Sequence, residues 1–207
     1  MGLVAFSCAG HLFSVGRGLN PGLIAPVAAG LTLLVGLCVC VSFYLNGGGG
    51  LWPLIGILVG GALVEVVGIT TGFPFGRYSY SDAWAPVVHY GSYGFPLQVP
   101  FAWLLTILSC FLMASCFVAG RGVVVVTGAL AVLLDLLMEP AMTRQGYWRW
   151  SSPGGFLGGA PIENFVAWFV LACLGGWVLF AKRLVVERGV LAVWVGQAVL
   201  MVCLWVT

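Results

Sequence analysis

The chain has 207 residues, of which 61% are apolar and 7% charged, and its mean hydropathy is +1.11. A soluble domain carries about 25% charged residues, so the composition is that of an integral membrane protein. The net charge of +2 is small and scattered, which excludes a nucleic-acid partner.

Residues 1–16 are apolar but broken by Gly10 and His11, and they read as a seventh or interfacial helix. They have no basic n-region, so a cleaved signal peptide is not expected. Apolar runs of about 20 residues read as spanning helices. Six such runs follow, at 22–45, 51–70, 96–118, 122–142, 162–181 and 189–206. The expected fold is an all-α integral membrane protein with six to seven transmembrane helices, forming one domain over 1–207 and placed in the cell membrane. Gly47–Gly50 is a turn and not a phosphate loop, because the required Lys and Ser/Thr are missing. The seven cysteines form no CxxC pair and show no metal-ligand spacing, so they read as small apolar filler.

Alternating spans put the two longest polar stretches, 71–95 and 143–161, on one side of the bilayer. Arg17, Arg77, Arg144 and Arg149 share that side, and Arg121, Lys182, Arg183 and Arg188 lie on the other. If the loop arginines belong to a site, Arg121 and the 182–188 cluster mark the cytoplasmic face.

Two acids open the same kind of passage. Glu65 leads into Thr71-Gly-Phe-Pro-Phe-Gly76-Arg-Tyr78-Ser-Tyr80-Ser81, and Asp135 leads into Gly146-Tyr-Trp148-Arg-Trp150-Ser151. At one offset the acids, glycines, aromatics and serines coincide. The match resumes at a second offset, with Pro96 to Trp103 against Pro161 to Trp168. The chain therefore reads as a parallel helix–loop–helix repeat, with halves at 51–118 and 122–181, and sites often form where such halves meet. Irregular backbone near membrane depth requires cover, so both loops are expected to fold inward as a cap. Symmetry breaks at Glu139, which faces Ile69, and at Glu163, which faces Gln98.

A charge in lipid is costly and marks a functional candidate. Buried carboxyls close together share protons, which makes a general acid–base pair. Glu65 and Asp135 are the central pair. Glu139, one turn from Asp135 on the same helix face, is a third acid that orients water or its neighbour. Tyr78, Tyr80, Trp148 and Trp150 line a cation site, joined by Trp103, Tyr147, Trp168 and Asn164, since aromatic faces stabilise cations by about 0.5–2 kcal/mol. Arg77 and Arg149 position carboxylates or cap the pocket, and Glu163 joins the binding set. Such a site suits protonation of an apolar alkene to a tertiary carbocation.

Plainer readings exist for each element. The acids can simply bridge helices by hydrogen bonds. Glu139 can be an interfacial carboxylate before Pro140, and Glu163 a first-turn acid favoured by the helix dipole. The rings can form an interfacial aromatic belt. Arg77, Arg144 and Arg149 can bind lipid phosphate or pair with Asp82, and His89 reads as a polar loop group. Asp135-x-x-x-Glu139 matches half of an aspartate-rich Mg²⁺-diphosphate motif, but Glu65 has no acidic partner at helical spacing. No metal site is expected.

The Thr71–Tyr80 string, Pro96-Leu-Gln-Val-Pro-Phe-Ala-Trp103, and Asp135-Leu-Leu-Met-Glu-Pro140 leading to Tyr147-Trp-Arg-Trp150 resemble the CruF-type carotenoid biosynthesis family. Its members are membrane carotenoid 1,2-hydratases, including the bisanhydrobacterioruberin hydratases. The resemblance covers about 60–177, and Glu139 stands where the family pattern has Asp. It implies an acyclic carotenoid substrate of the lycopene type, protonated at C2 and captured by water at C1, with no cofactor. Membrane lipid is the other expected partner, and a homo-oligomer is compatible with the sequence. An acid-initiated lycopene cyclase, a non-catalytic carotenoid- or lipid-binding protein and a small proton-coupled transporter are the alternatives.

Overall fold

A computed structural model describes residues 24–151, 155–180 and 188–206, with side chains from residue 30 onward except that of Arg188. Residues 1–16, Arg17, Lys182 and Arg183 lie outside the described residues. Among the described residues, six α-helices occupy the six predicted places: α1 (Ile24–Asn46), α2 (Leu51–Thr71), α3 (Val99–Phe117), α4 (Gly122–Arg144), α5 (Ile162–Leu179) and α6 (Leu191–Val206). Four of them, α2 to α5, are long and apolar enough to cross a membrane. The described apolar stretch Gly30–Asn46 and the 16-residue α6 are shorter than a full span. At 1.5 Å per residue, α6 falls below a hydrocarbon core about 30 Å thick. This is an all-α membrane protein.

Helix ends follow local chemistry. The α2 helix stops at Gly72, whose positive φ of 85° lets its N–H return to Gly68 O. The α3 and α5 helices start beside prolines, with Pro100 in the first turn of α3 and Pro161 as the N-cap of α5. Proline lacks an N–H and is tolerated there. Large apolar side chains such as Leu63, Val125, Val166 and Leu174 are exposed, as lipid-facing positions are.

α4 is the central element. It packs against α5, α3 and α6, while α3 packs against α2 and α1. The C-terminal end of α4 is tied to that of α6, since Arg144 Nη1 donates to Trp205 O (3.1 Å) and Gln145 Nε2 to Leu204 O (3.2 Å).

The connections that follow α2 and α4 are not unstructured. Each contributes one short strand to a shared antiparallel pair, β1 (Tyr78–Tyr80) with β4 (Trp148–Trp150), in the register Tyr78↔Trp150, Ser79↔Arg149, Tyr80↔Trp148. Ser81 N–H to Tyr147 O and Ser151 N–H to Arg77 O extend the pairing. A hairpin of β2 (Val87–Tyr90) and β3 (Tyr93–Pro96) leads into α3. Strands in these loops were not expected from composition, and the aromatic alternation Tyr-Ser-Tyr and Trp-Arg-Trp explains them, because side chains point to opposite faces at period two.

A 3₁₀ turn at Leu157–Gly159 lies against the last turns of α4. Gly158 has φ of +65°, and a Cβ there would stand 2.7 Å from the backbone of Glu139. Only glycine accepts both constraints. The Gly158→Ala protein is expected to lose about 1–3 kcal/mol of stability, read as a lower thermal unfolding midpoint in detergent.

Candidate active site

The site lies between α2, α3, α4 and α5, beneath the β1–β4 pair. Its pocket has a volume of about 50 Å³. Three carboxyls line it, and all are nearly inaccessible: Glu65 is 5% exposed, Asp135 1% and Glu139 2%.

Glu65 accepts from Tyr78 Oη at 2.6 Å and Tyr80 Oη at 3.0 Å on one oxygen, and from Trp103 Nε1 at 2.7 Å on the other. Small residues one turn away on each side make this approach possible. A Cβ at Gly61 would stand 2.8 Å from Trp103 Cβ, and one at Gly68 would stand 2.6 Å from the Tyr78 hydroxyl.

Glu139 accepts two indole N–H groups on a single oxygen, from Trp148 at 3.0 Å and Trp150 at 2.7 Å. Asn164 Nδ2 bridges the remaining pair, donating to Asp135 Oδ2 at 2.7 Å and to Glu139 Oε1 at 3.1 Å. Asp135 Oδ1 is buried and has no hydrogen-bond partner among the described residues. Every group bound to Glu139 is an N–H donor, and an indole N–H can only donate.

Aromatic rings close the walls. Trp103 and Trp168 stack with centroids 3.9 Å apart and planes within 6°. Tyr78 sits 5.2 Å from Trp150, and Trp84 contacts both Tyr80 (5.8 Å) and Trp148 (5.9 Å). Burial, then the proximity of Glu65, pushes the Tyr78 and Tyr80 phenols well above the usual tyrosine range.

Of the residues expected from sequence, Glu65, Asp135, Glu139, Tyr78, Tyr80, Trp103, Trp148, Trp150, Asn164 and Trp168 all line this pocket. Four do not. Arg77, Arg149 and Glu163 are exposed. Ser79 and Arg149 occupy the strand face opposite to the tyrosines and tryptophans, so Arg77 and Arg149 cannot hold the carboxylates. Glu163 is one helical step from Asn164 and points away. Tyr147 is buried but lines a neighbouring cavity instead. In the first loop Asp82 Oδ1 lies 3.0 Å from His89 Nε2 rather than beside an arginine.

Phe75, Thr106 and Met138 also line the pocket and were not anticipated. Helical spacing would have found two of them, since Thr106 is one turn from Trp103 and Met138 one turn from Asp135.

Fold and site together define a membrane protein whose helices bury a carboxyl cluster inside an aromatic box. A family model described as Carotenoid biosynthesis protein matches residues 19–207, and the chain belongs to that family. The bisanhydrobacterioruberin hydratase of Haloarcula japonica is 28% identical over 135 residues, which are 58% of this chain and 44% of that protein. The chain thus matches less than half the length of that relative. No solved structure matches. The family's description associates its members with carotenoid biosynthesis.

Two measurements test the site as described. Replacing Asn164 with leucine strands an acceptor on Asp135 and another on Glu139, so thermal unfolding should show a loss of about 1–3 kcal/mol for each. Raised phenol pKa values keep Tyr78 and Tyr80 protonated as pH climbs. Tyrosinate absorbance of the native protein and of a Tyr78→Phe/Tyr80→Phe protein should therefore superimpose up to about pH 11, above the ordinary phenol value near 10.

Proposed function

We propose that this chain is a carotenoid 1,2-hydratase of the cell membrane, which adds water across the terminal C1=C2 bond of an acyclic carotenoid end. The observation that carries this reading is the distribution of hydrogen-bond donors over the three carboxyls. Glu139 faces three N–H donors, which suits a carboxylate held as an acceptor. Asp135 keeps one buried oxygen without a donor, the place where a carboxylic O–H fits without meeting another hydrogen.

Asp135 Oδ1–H donates its proton to C2, and the alkene's electron pair forms the new C–H bond. The cation at C1 lies among the Trp103–Trp168 stack, Tyr78, Tyr80, Trp148 and Trp150, whose faces stabilise it. The Glu65 and Glu139 carboxylates add electrostatic stabilisation in a water-poor site, where it is strongest. Water attacks C1, Glu65 takes the proton that water releases, and proton return to Asp135 completes the cycle. Net change is one alkene and one water to one tertiary alcohol.

The two halves, 51–118 and 122–181, are related repeats in this reading. A strand pair centred on Ser79–Arg149 and a stack of the equivalent residues Trp103 and Trp168 are what a two-fold relation between halves would produce. The hydratase name of the Haloarcula japonica relative supports the same chemistry.

Expression in a lycopene-producing host tests the proposal through pigment mass. The native chain should yield product heavier by one water, and Asp135→Asn or Glu65→Gln should lower its formation by about 10²–10⁴-fold. Product of unchanged mass would indicate cyclisation instead. Variants that hydrate at the native rate would remove both residues from the mechanism.

A further inference from the structure

The acid pocket, at about 50 Å³, has room for a reacting end and little else. A second cavity of about 280 Å³ lies beside it, between α1, α3, α4 and α6. Its walls are mainly aliphatic, including Leu33, Val39, Leu105, Val193 and Leu200. The amide donors among them are already engaged, Gln98 Nε2 by Ala85 O and Gln197 Nε2 by Ser109 Oγ, while Gln98 Oε1 is buried without a hydrogen-bond partner among the described residues. The two spaces are neighbours through shared walls: Trp84, Ala102, Thr106 and Met138 line both. A third small space, about 20 Å³, shares Thr106 and Met138 with each of them and reaches Asp135.

We propose that this cavity binds the hydrocarbon chain of the substrate as it runs on from the reacting end, with Met138 and Thr106 forming the partition it passes. The inference rests on the hydratase reading for the identity of the chain, an isoprenoid polyene. An apolar chain continuous with a carbon beside Asp135 must leave the acid pocket, and the larger cavity shares a wall with it. Burial of that chain against aliphatic walls is favoured by the same transfer that buries a core side chain. The partition is adaptable: Ala102 is small, and Met138 is unbranched and able to shift rotamer. An acyl chain of a membrane lipid has similar chemistry, but nothing in it requires continuity with the carboxyl cluster.

The purified full chain in detergent, titrated with lycopene, tests this through the circular dichroism that an ordered site induces in the polyene absorption band. The native protein should give the signal. Ala192→Phe and Gly36→Leu, which fill the cavity, should weaken lycopene binding at least tenfold. Val125→Ala, on the exposed face of α4 and away from both cavities, should bind as the native protein does. Gly36→Ala would meet Leu105 at an ordinary 3.4 Å, so it guards against misfolding of the larger variants and should give a smaller loss. Filled variants that bind lycopene at native affinity would overturn the proposal. So would a native protein that retains phospholipid by native mass spectrometry and gives no polyene signal. Lycopene bound, lost on filling, yet never hydrated would support the cavity and refute the hydratase reading.

Discussion

A carboxylate surrounded by hydrocarbon must be given hydrogen-bond donors, or burying it costs more than the fold can offset. This chain meets that requirement almost entirely with aromatic side chains. Indoles from Trp103, Trp148 and Trp150 and phenols from Tyr78 and Tyr80 supply every donor except the Asn164 amide. Each of these rings also presents a face to the pocket or to a neighbouring ring. The choice is economical: an Arg or Lys partner would bring a second charge to desolvate, whereas an indole brings a neutral donor and a large apolar surface. The loops carry strands for the same reason. Two residues apart on a strand, Tyr78 with Tyr80 and Trp148 with Trp150 point to one side and converge on a single oxygen.

Helix positions were readable because apolar length alone defines them, and all six fall within a few residues of their expected bounds. Glu65, Asp135 and Glu139 were readable because ionisable groups deep in apolar segments are rare. Who binds whom was not. The repeat equates Asp135 with Glu65, yet Trp148 and Trp150 serve Glu139, one turn further along α4. At the offset that aligns the two acids, Glu139 stands against Ile69, so the earlier stretch has no second acid at that place. Asn164 likewise stands where the first half has Val99, and it supplies the amide that the pair of acids needs. Arg77, Arg149 and Glu163 were assigned to the site from proximity in sequence, but strand alternation and helical rotation turn them outward. Thr106 and Met138 carry no chemical signature of their own, and only their helical spacing from Trp103 and Asp135 points to them.

The same packing joins a tight acid pocket to a wider aliphatic space. α3 contributes to both walls, with Trp103 on the polar side, Leu105 on the apolar side and Thr106 between them. A single helix therefore separates the acid pocket from the aliphatic cavity, and a rotation of one residue changes which environment a side chain meets.

The donors of each carboxyl come from its own half of the chain. Glu65 is served by Tyr78, Tyr80 and Trp103, all before residue 118, while Asp135 and Glu139 are served by Trp148, Trp150 and Asn164, all after residue 122. What crosses between the two stretches is backbone pairing and ring contact: the strand pair, the Trp103–Trp168 stack, and the packing of Tyr78 on Trp150 and of Trp84 on Trp148. Each carboxyl therefore carries its hydrogen-bond donors within one helix–loop–helix stretch of the chain, and a cut in the short link between α3 and α4 would separate no acid from the groups that donate to it.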